Sequence, residues 1–140
     1  MKQGKRILII DDDVEILALY RTLLKQVGYE PSIVANGHDA LNIFSQEKPS
    51  LVLLDLSMPG LGGLEVLREI RRLDTATPVI ILTADTGMES RRACKEMGIS
   101  AYFTKPPNFD ELIETIRCYL DEPQESSKAS TTSKNIRRSS

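Results

Sequence analysis

Asp55 closes the apolar run Leu51-Val52-Leu53-Leu54 and is followed by Leu56-Ser57-Met58-Pro59-Gly60. A carboxylate there stands where a buried strand gives way to a Pro/Gly loop, the place where open α/β sheets hold their ligand crevice. Three other apolar runs end in the same manner. Ile7-Leu8-Ile9-Ile10 leads into Asp11-Asp12-Asp13, Val79-Ile80-Ile81-Leu82 into Thr83, and Ala101-Tyr102-Phe103-Thr104 into Lys105-Pro106. Gathered on one edge of one sheet, these side chains offer carboxylates, a hydroxyl and an amine. That set suits a magnesium-dependent phosphoryl acceptor.

Acids placed so closely repel, by about 4 kcal/mol for a pair roughly 4 Å apart at an effective dielectric near 20. Lys105 brings one positive charge, and a divalent cation would bring two more. The donors are all oxygens, with no histidine or thiolate among them, which selects a hard cation such as Mg²⁺ or Mn²⁺. Asp12, Asp55 and the backbone carbonyl of Ser57 leave coordination sites for water and phosphate oxygens. The Asp55 carboxylate can attack a phosphate donor to give an aspartyl phosphate. Lys105 and Thr83 would then stabilise charge spreading over the equatorial oxygens. Asp13 and Asp39 read as first-turn helix acids, which the helix dipole favours. His38, the single histidine, falls away from this group and is given no chemical role.

The elements that must position these residues follow from periodicity. Strand-like runs fall near residues 6–10, 31–35, 50–54, 78–82 and 100–103. Ile16, Leu17, Tyr20, Leu23, Leu24 and Val27 keep helical spacing up to Gly28. Ala40, Leu41 and Phe44 mark a second helix entered through Asn36-Gly37, and Leu64, Leu67, Ile70 and Leu73 a third that ends before Thr77-Pro78. The fourth, Met88 to Met97, has the weakest pattern. The fifth runs from Asn108 or Phe109 to Leu120, with Asn108 as N-cap. Five strands alternating with five helices imply an α/β fold with a parallel sheet covered on both faces. The second strand is the most polar and so belongs at an edge. A flavodoxin-like (βα)5 arrangement in the order 2-1-3-4-5 satisfies this and sets Asp11, Asp12 and Asp55 side by side.

The 140 residues fit one domain, and a net charge of −2 with pI near 5.5 gives no footprint for nucleic acid. From Asp121 to Ser140 there is no aromatic residue and one large aliphatic, Ile136. Such composition cannot offset its ordering entropy, so the domain is expected over residues 1–121 and a disordered tail or linker over 122–140. Cys94 is expected on the buried side of its helix and Cys118 off the apolar face of the last one. Neither matches a metal spacing or implies a disulfide. With no signal peptide and no membrane-length apolar run, a cytoplasmic protein without a membrane partner is expected.

Ile7 to Asp13, Leu51 to Gly60, Pro78 to Ala84 and Gly98 to Pro106 together resemble the receiver domain of two-component response regulators. The resemblance covers roughly residues 4–121, with four separated motifs in the family's order. It implies Asp55 as phosphoacceptor, Asp12 as a direct metal ligand and Asp11 as one acting through water. Ser57 would lend its backbone carbonyl to the metal, Thr83 would be the switch hydroxyl, and Lys105 the phosphate-binding amine. Tyr102 matches the switch aromatic, and Lys105-Pro106 the cis-proline bond. Ser57 and Asp85 resemble positions that tune water access to the phosphoaspartate. Pro107 departs from the family, where an aromatic usually follows Lys-Pro, so a less apolar adjacent face is expected. Gly60-Leu61-Gly62-Gly63 reads as an unusually flexible loop.

The resemblance implies a module that is not a conventional enzyme and catalyses only its own phosphorylation and dephosphorylation. It would take phosphoryl from a sensor histidine kinase or phosphotransfer protein, dock the donor near Val14 and Glu15, and alter the helix 4–strand 5–helix 5 face for a downstream partner. A monomer or a phosphorylation-dependent dimer fits equally, and the charges of helices four and five permit a symmetric contact. The sequence supports a single-domain regulator, while a tail of linker composition also fits a receiver from a longer protein. A haloacid-dehalogenase-type phosphatase shares the aspartate nucleophile, but no acidic pair follows its lysine and little room remains for a cap domain. A flavin binder would need a Ser/Thr-rich loop where three aspartates stand. A phosphorylation-independent interaction domain would normally lack some of these residues.

Overall fold

In a computed structural model, which describes residues 4–121, the aliphatic runs form five parallel strands. These are β1 (Arg6–Ile10), β2 (Glu30–Val34), β3 (Leu51–Leu54), β4 (Val79–Thr83) and β5 (Ala101–Thr104). Between and after them lie α1 (Val14–Gln26), α2 (Gly37–Glu47), α3 (Gly63–Leu73), α4 (Met88–Met97) and α5 (Phe109–Leu120). The sheet order is β2-β1-β3-β4-β5, so the expected topology holds. Strand limits differ by one residue from the periodicity. The second strand starts at Glu30, because Glu30 N–H donates to the Lys5 carbonyl at 2.9 Å. The fourth reaches Thr83, which pairs with Thr104.

Alternation along the central strands feeds two cores. Leu8, Ile10, Val52, Leu54, Val79 and Ile81 face Ala40, Phe44, Val66, Leu67, Ile70 and Cys94 of α2, α3 and α4. Ile7, Ile9, Leu51, Leu53, Ile80 and Leu82 face Leu17, Tyr20, Leu24, Leu112, Ile116 and Leu120 of α1 and α5. Each fully buried Leu or Ile contributes roughly 1.5–3 kcal/mol by leaving water. This two-sided burial is why the strands read as continuous apolar runs. The weak pattern of α4 has its cause here, since Cys94 is its single buried residue. Burial pushes the Cys94 thiol up to about 11, while Cys118 is exposed.

Helix ends are fixed by side chains that the sequence places there. Asn36 caps α2 by accepting from Asp39 N–H at 2.8 Å, and Asn108 caps α5 by accepting from Glu111 N–H at 3.0 Å. At the far end, Arg71 of α3 grips α4. Its Nε and Nη2 donate to the Gly98 carbonyl at 3.1 and 2.8 Å, and its Nη1 donates to the Asp74 carbonyl. The end of α5 is tied to the strand starts. Lys5 Nζ donates to the Leu120 carbonyl, and Tyr29 Oη donates to Asp121 Oδ2 at 2.8 Å. Burial and the Asp121 carboxylate push the Tyr29 phenol up to about 12. The boundary at 121 and the tail reading for 122–140 lie at and beyond the limit of the described residues. Among those residues no helix is long and apolar enough to cross a membrane.

Candidate functional site

The ladders carry one step past the strands and set the acids in place. Asp11 N–H donates to the Val34 carbonyl at 3.1 Å, and Asp55 N–H donates to the Ile10 carbonyl at 3.0 Å. Two neighbouring strands therefore deliver Asp11 and Asp55 to the same edge, 3% and 5% exposed. Each carboxylate is then oriented by its own loop. Asp11 Oδ1 accepts from Asp13 N–H at 2.9 Å, and Asp55 Oδ1 accepts from Ser57 N–H at 3.1 Å. That leaves both Oδ2 atoms turned to Lys105, whose Nζ lies 2.5 Å from Asp11 and 3.4 Å from Asp55. Lys105 is itself held by its backbone, which donates to the Thr83 carbonyl at 2.8 Å. The Lys105-Pro106 bond is cis.

Asp12 is exposed beside this pair, and oxygens of Asp11, Asp12 and Asp55 all lie within 4.8 Å of one another. Octahedral ligands about 2.1 Å from Mg²⁺ would be separated by about 3–4 Å, so the spacing and all-oxygen chemistry fit a hard cation. Burial pushes the Asp11 carboxyl up, against the Lys105 hydrogen bond that pulls it down. Burial also works against the Lys105 charge, yet Asp11 and Asp55 together carry the amine above its ordinary value. The cluster thus holds the ammonium firmly and remains short of positive charge.

Ser57 is exposed two residues beyond Asp55. Thr83 is fully buried at the end of β4, and its Oγ1 accepts from Asp85 N–H at 3.2 Å. Tyr102 is half-buried and packs on the α2–α3–α4 side; its Oη donates to the Asp85 carbonyl at 2.7 Å. Thr83 and Tyr102 are thus joined through Asp85. Asp13 caps α1, accepting from Glu15 and Ile16 N–H at 3.0 and 3.3 Å. His38 is exposed at the start of α2.

Two residues past Pro107, the Phe109 ring sits edge-on to Tyr20 at 5.6 Å. The glycine-rich loop is also closely packed at its end. Gly63 is buried, and a Cβ there would lie 2.4 Å from the Asp55 carbonyl oxygen and from Leu56 Cα. Its glycine serves close approach of α3 to the strand that bears Asp55. Only Gly60, at φ +73°, uses the left-handed region in that loop. A glycine required for close packing and one required for a flexible loop look alike in sequence.

With this geometry in hand, the response regulator receiver domain family matches residues 7–117. The chain belongs to that family. Sporulation initiation phosphotransferase F of Bacillus subtilis (strain 168) is 37% identical over 117 residues, covering 84% of this chain and 94% of that protein. The DNA-binding response regulator MtrA of Mycolicibacterium paratuberculosis is 34% identical over 125 residues, covering 86% of this chain and 55% of that protein. The receiver thus spans about half the length of such transcriptional regulators. Among solved structures, a CheY-like receiver domain protein from Methanospirillum hungatei JF-1 aligns with TM-score 0.83 and 34% identity, over 87% of this chain and 98% of that one. Response regulator protein TrrA from Thermotoga maritima, in complex with Mg(2+)-BeF, aligns with TM-score 0.76 and 39% identity, over 83% and 99%. The receiver is a module of two-component response regulators, and the phosphatase and flavin readings are not favoured.

Proposed function

We propose that Asp55 accepts a phosphoryl group from a histidine kinase or phosphotransfer protein. The observation that carries this is the Asp55 carboxylate itself. It is buried at the crevice edge, with one oxygen fixed by Ser57 N–H and the other facing Lys105 at 3.4 Å. A carboxylate oxygen forms the new bond to phosphorus as the donor's bond breaks, and the donor leaves with that electron pair. Lys105 neutralises the equatorial oxygens, and the Thr83 hydroxyl, its own oxygen held by Asp85 N–H, is free to donate to one of them.

Asp11, Asp12 and Asp55, with the Ser57 carbonyl, would hold Mg²⁺ or Mn²⁺, which when bound supplies positive charge to the acids and the phosphate. The all-oxygen set within 4.8 Å supports this, as does the Mg(2+)-BeF complex of TrrA. Val14, 66% exposed at the start of α1, offers an apolar contact beside the crevice for the donor protein. Phosphoryl contacts at Thr83 would reach the α4–β5–α5 face through Tyr102, biasing a downstream partner. This reading places the receiver in the cytoplasm, where such donors act. It makes the protein its own catalyst of phosphorylation and dephosphorylation and not an enzyme with turnover of a free substrate.

Intact mass after incubation with Mg²⁺ and acetyl phosphate, with Asp55→Asn alongside, tests the assignment. A single hydroxylamine-labile phosphoryl adduct absent from the variant is the expected result. An adduct retained by Asp55→Asn overturns the assignment of the site. No adduct on folded, Mg²⁺-bound wild type would indicate an interaction domain without the chemistry.

A further inference from the structure

The loop between β4 and α4 converges on one residue. The backbone N–H of Asp85 donates to Thr83 Oγ1 at 3.2 Å, and its carbonyl accepts from Tyr102 Oη at 2.7 Å. Its carboxylate takes two further bonds, from Gly87 N–H to Oδ1 at 2.7 Å and from Ser90 Oγ to Oδ2 at 2.8 Å. The N-cap of α4 is Gly87, which has no side chain to offer, and Ser90 is the third residue of the helix. Asp85 therefore ties the backbone of the N-cap residue and the hydroxyl of the helix's third residue to the loop that follows β4. The loop is shaped around this carboxylate, since a Cβ on Gly87 would come 3.0 Å from Asp85 Oδ1. Arg91, one residue after Ser90, lays its guanidinium 4.9 Å from the centre of the Tyr102 ring.

We propose that the Asp85–Ser90 pair is a positioning clamp that fixes the Thr83 hydroxyl and the Tyr102 phenol to the first turn of α4. The inference deepens the reading of Asp55 as phosphoacceptor and rests on it. The clamp sets where the Thr83 proton points. With its oxygen already accepting from Asp85 N–H, the Thr83 hydroxyl keeps its own hydrogen for a phosphoryl oxygen. That arrangement lasts only while the loop holds Asp85 in place, and the two carboxylate bonds are what hold it. Donors fixed before the charge develops cost no reorganisation in the transition state. The same bonds, Gly87 N–H first and Ser90 second, hold the Asp85 carboxyl below its ordinary value, so the clamp is charged at neutral pH. A charge at the crevice rim that merely repels or orders water is the competing account, and the two diverge on substitution.

Asp85→Asn removes the charge but keeps the clamp, because its oxygen still accepts from Gly87 N–H and its amide can donate to Ser90 Oγ. Ser90→Ala keeps the charge and breaks the clamp, and Ser90→Thr restores the hydroxyl. The rate of adduct formation with Mg²⁺ and acetyl phosphate is followed by intact mass in all three. Hydrogen exchange of residues 85–91 is measured on the same proteins without phosphodonor. We expect Ser90→Ala to form adduct about three- to tenfold more slowly, the size of one lost hydrogen bond. Its residues 85–91 should exchange faster. Asp85→Asn should stay within about twofold of wild type, and Ser90→Thr should recover the wild-type rate. A slow Asp85→Asn beside a normal Ser90→Ala overturns the clamp in favour of rim charge, and wild-type rates throughout overturn it outright. If wild type forms no adduct, the phosphoacceptor reading fails on its own. The exchange data then decide the clamp, and unchanged exchange in Ser90→Ala refutes it.

Discussion

Asp12→Asn should make the protein more stable without metal and less responsive to it. Asp12 is exposed, and the ion pairs that Lys105 makes go to Asp11 and Asp55. The Asp12 charge therefore meets two like charges within 4.8 Å and no paired cation among the described residues. At that separation each repulsion is about 3.5 kcal/mol for an effective dielectric of 20 and about 0.9 kcal/mol in bulk water. Solvent reaches Asp12, so the lower figure governs and the two pairs together cost about 2 kcal/mol. Asparagine keeps the shape and loses the charge, for a gain of about 1–2 kcal/mol. In a domain of this size that is a rise in melting temperature of about 4–8 °C. The assay is thermal unfolding followed by circular dichroism in 10 mM salt, where surface charges are poorly screened. It is run once with EDTA and once with excess Mg²⁺. Wild type at about 100 times its dissociation constant gains about 2.7 kcal/mol from the ligand, and Asp12→Asn should gain clearly less, so the order narrows or reverses. A variant that melts below wild type in EDTA, or an equal Mg²⁺ shift in both proteins, refutes the reasoning.

Three further outcomes follow from the packing and ion pairs of the fold. Lys105→Met leaves two buried acids facing each other and should cost about 3–5 kcal/mol in urea unfolding at pH 7. Because burial raises the Asp11 carboxyl, the fold takes up that proton before the unfolded chain does. The deficit should therefore shrink as pH falls toward 4, and a pH-independent deficit would contradict this. Gly63→Ala forces a Cβ onto the Asp55 backbone and should cost about 1–3 kcal/mol as well as slowing adduct formation; a fully stable variant would show that α3 can back away. Tyr29→Phe loses the bond to Asp121 and should cost about 1 kcal/mol near neutrality. The Tyr29 phenol is raised from 10 to about 12, so its contribution is full below pH 10 and lost as pH climbs toward 12. Urea midpoints between pH 8 and 12 should then fall more steeply in wild type than in the variant.

Strands and site were legible for one shared reason. A parallel sheet buried on both faces writes its strands as aliphatic runs, and the crevice lies where those runs stop. Asp11, Asp55 and Lys105 could therefore be placed together from their position after Ile10, Leu54 and Thr104. The rest depends on contacts that have no period. Lys5 meets the Leu120 carbonyl and Tyr102 meets the Asp85 carbonyl across long stretches of chain, and backbone acceptors leave no mark on residue type. Ser90 lies on a helix with a single buried residue and reads as any exposed serine. Phe109 stands two places from where the resemblance sets an aromatic, and its edge-on packing on Tyr20 spans a stretch of chain that carries no period.

The fastening of α5 by Lys5 and Tyr29 gives the molecule two poles with separate duties. A helix of 12 residues is about 18 Å long, so Asp121 stands that far from the Lys105 loop. Any tag, fluorophore or fused domain carried after Asp121 starts its path from the pole opposite the acids. Its local concentration at the crevice is lowered by the distance it must first travel back. The end of α5 and the acid cluster thus face away from each other across the length of that helix.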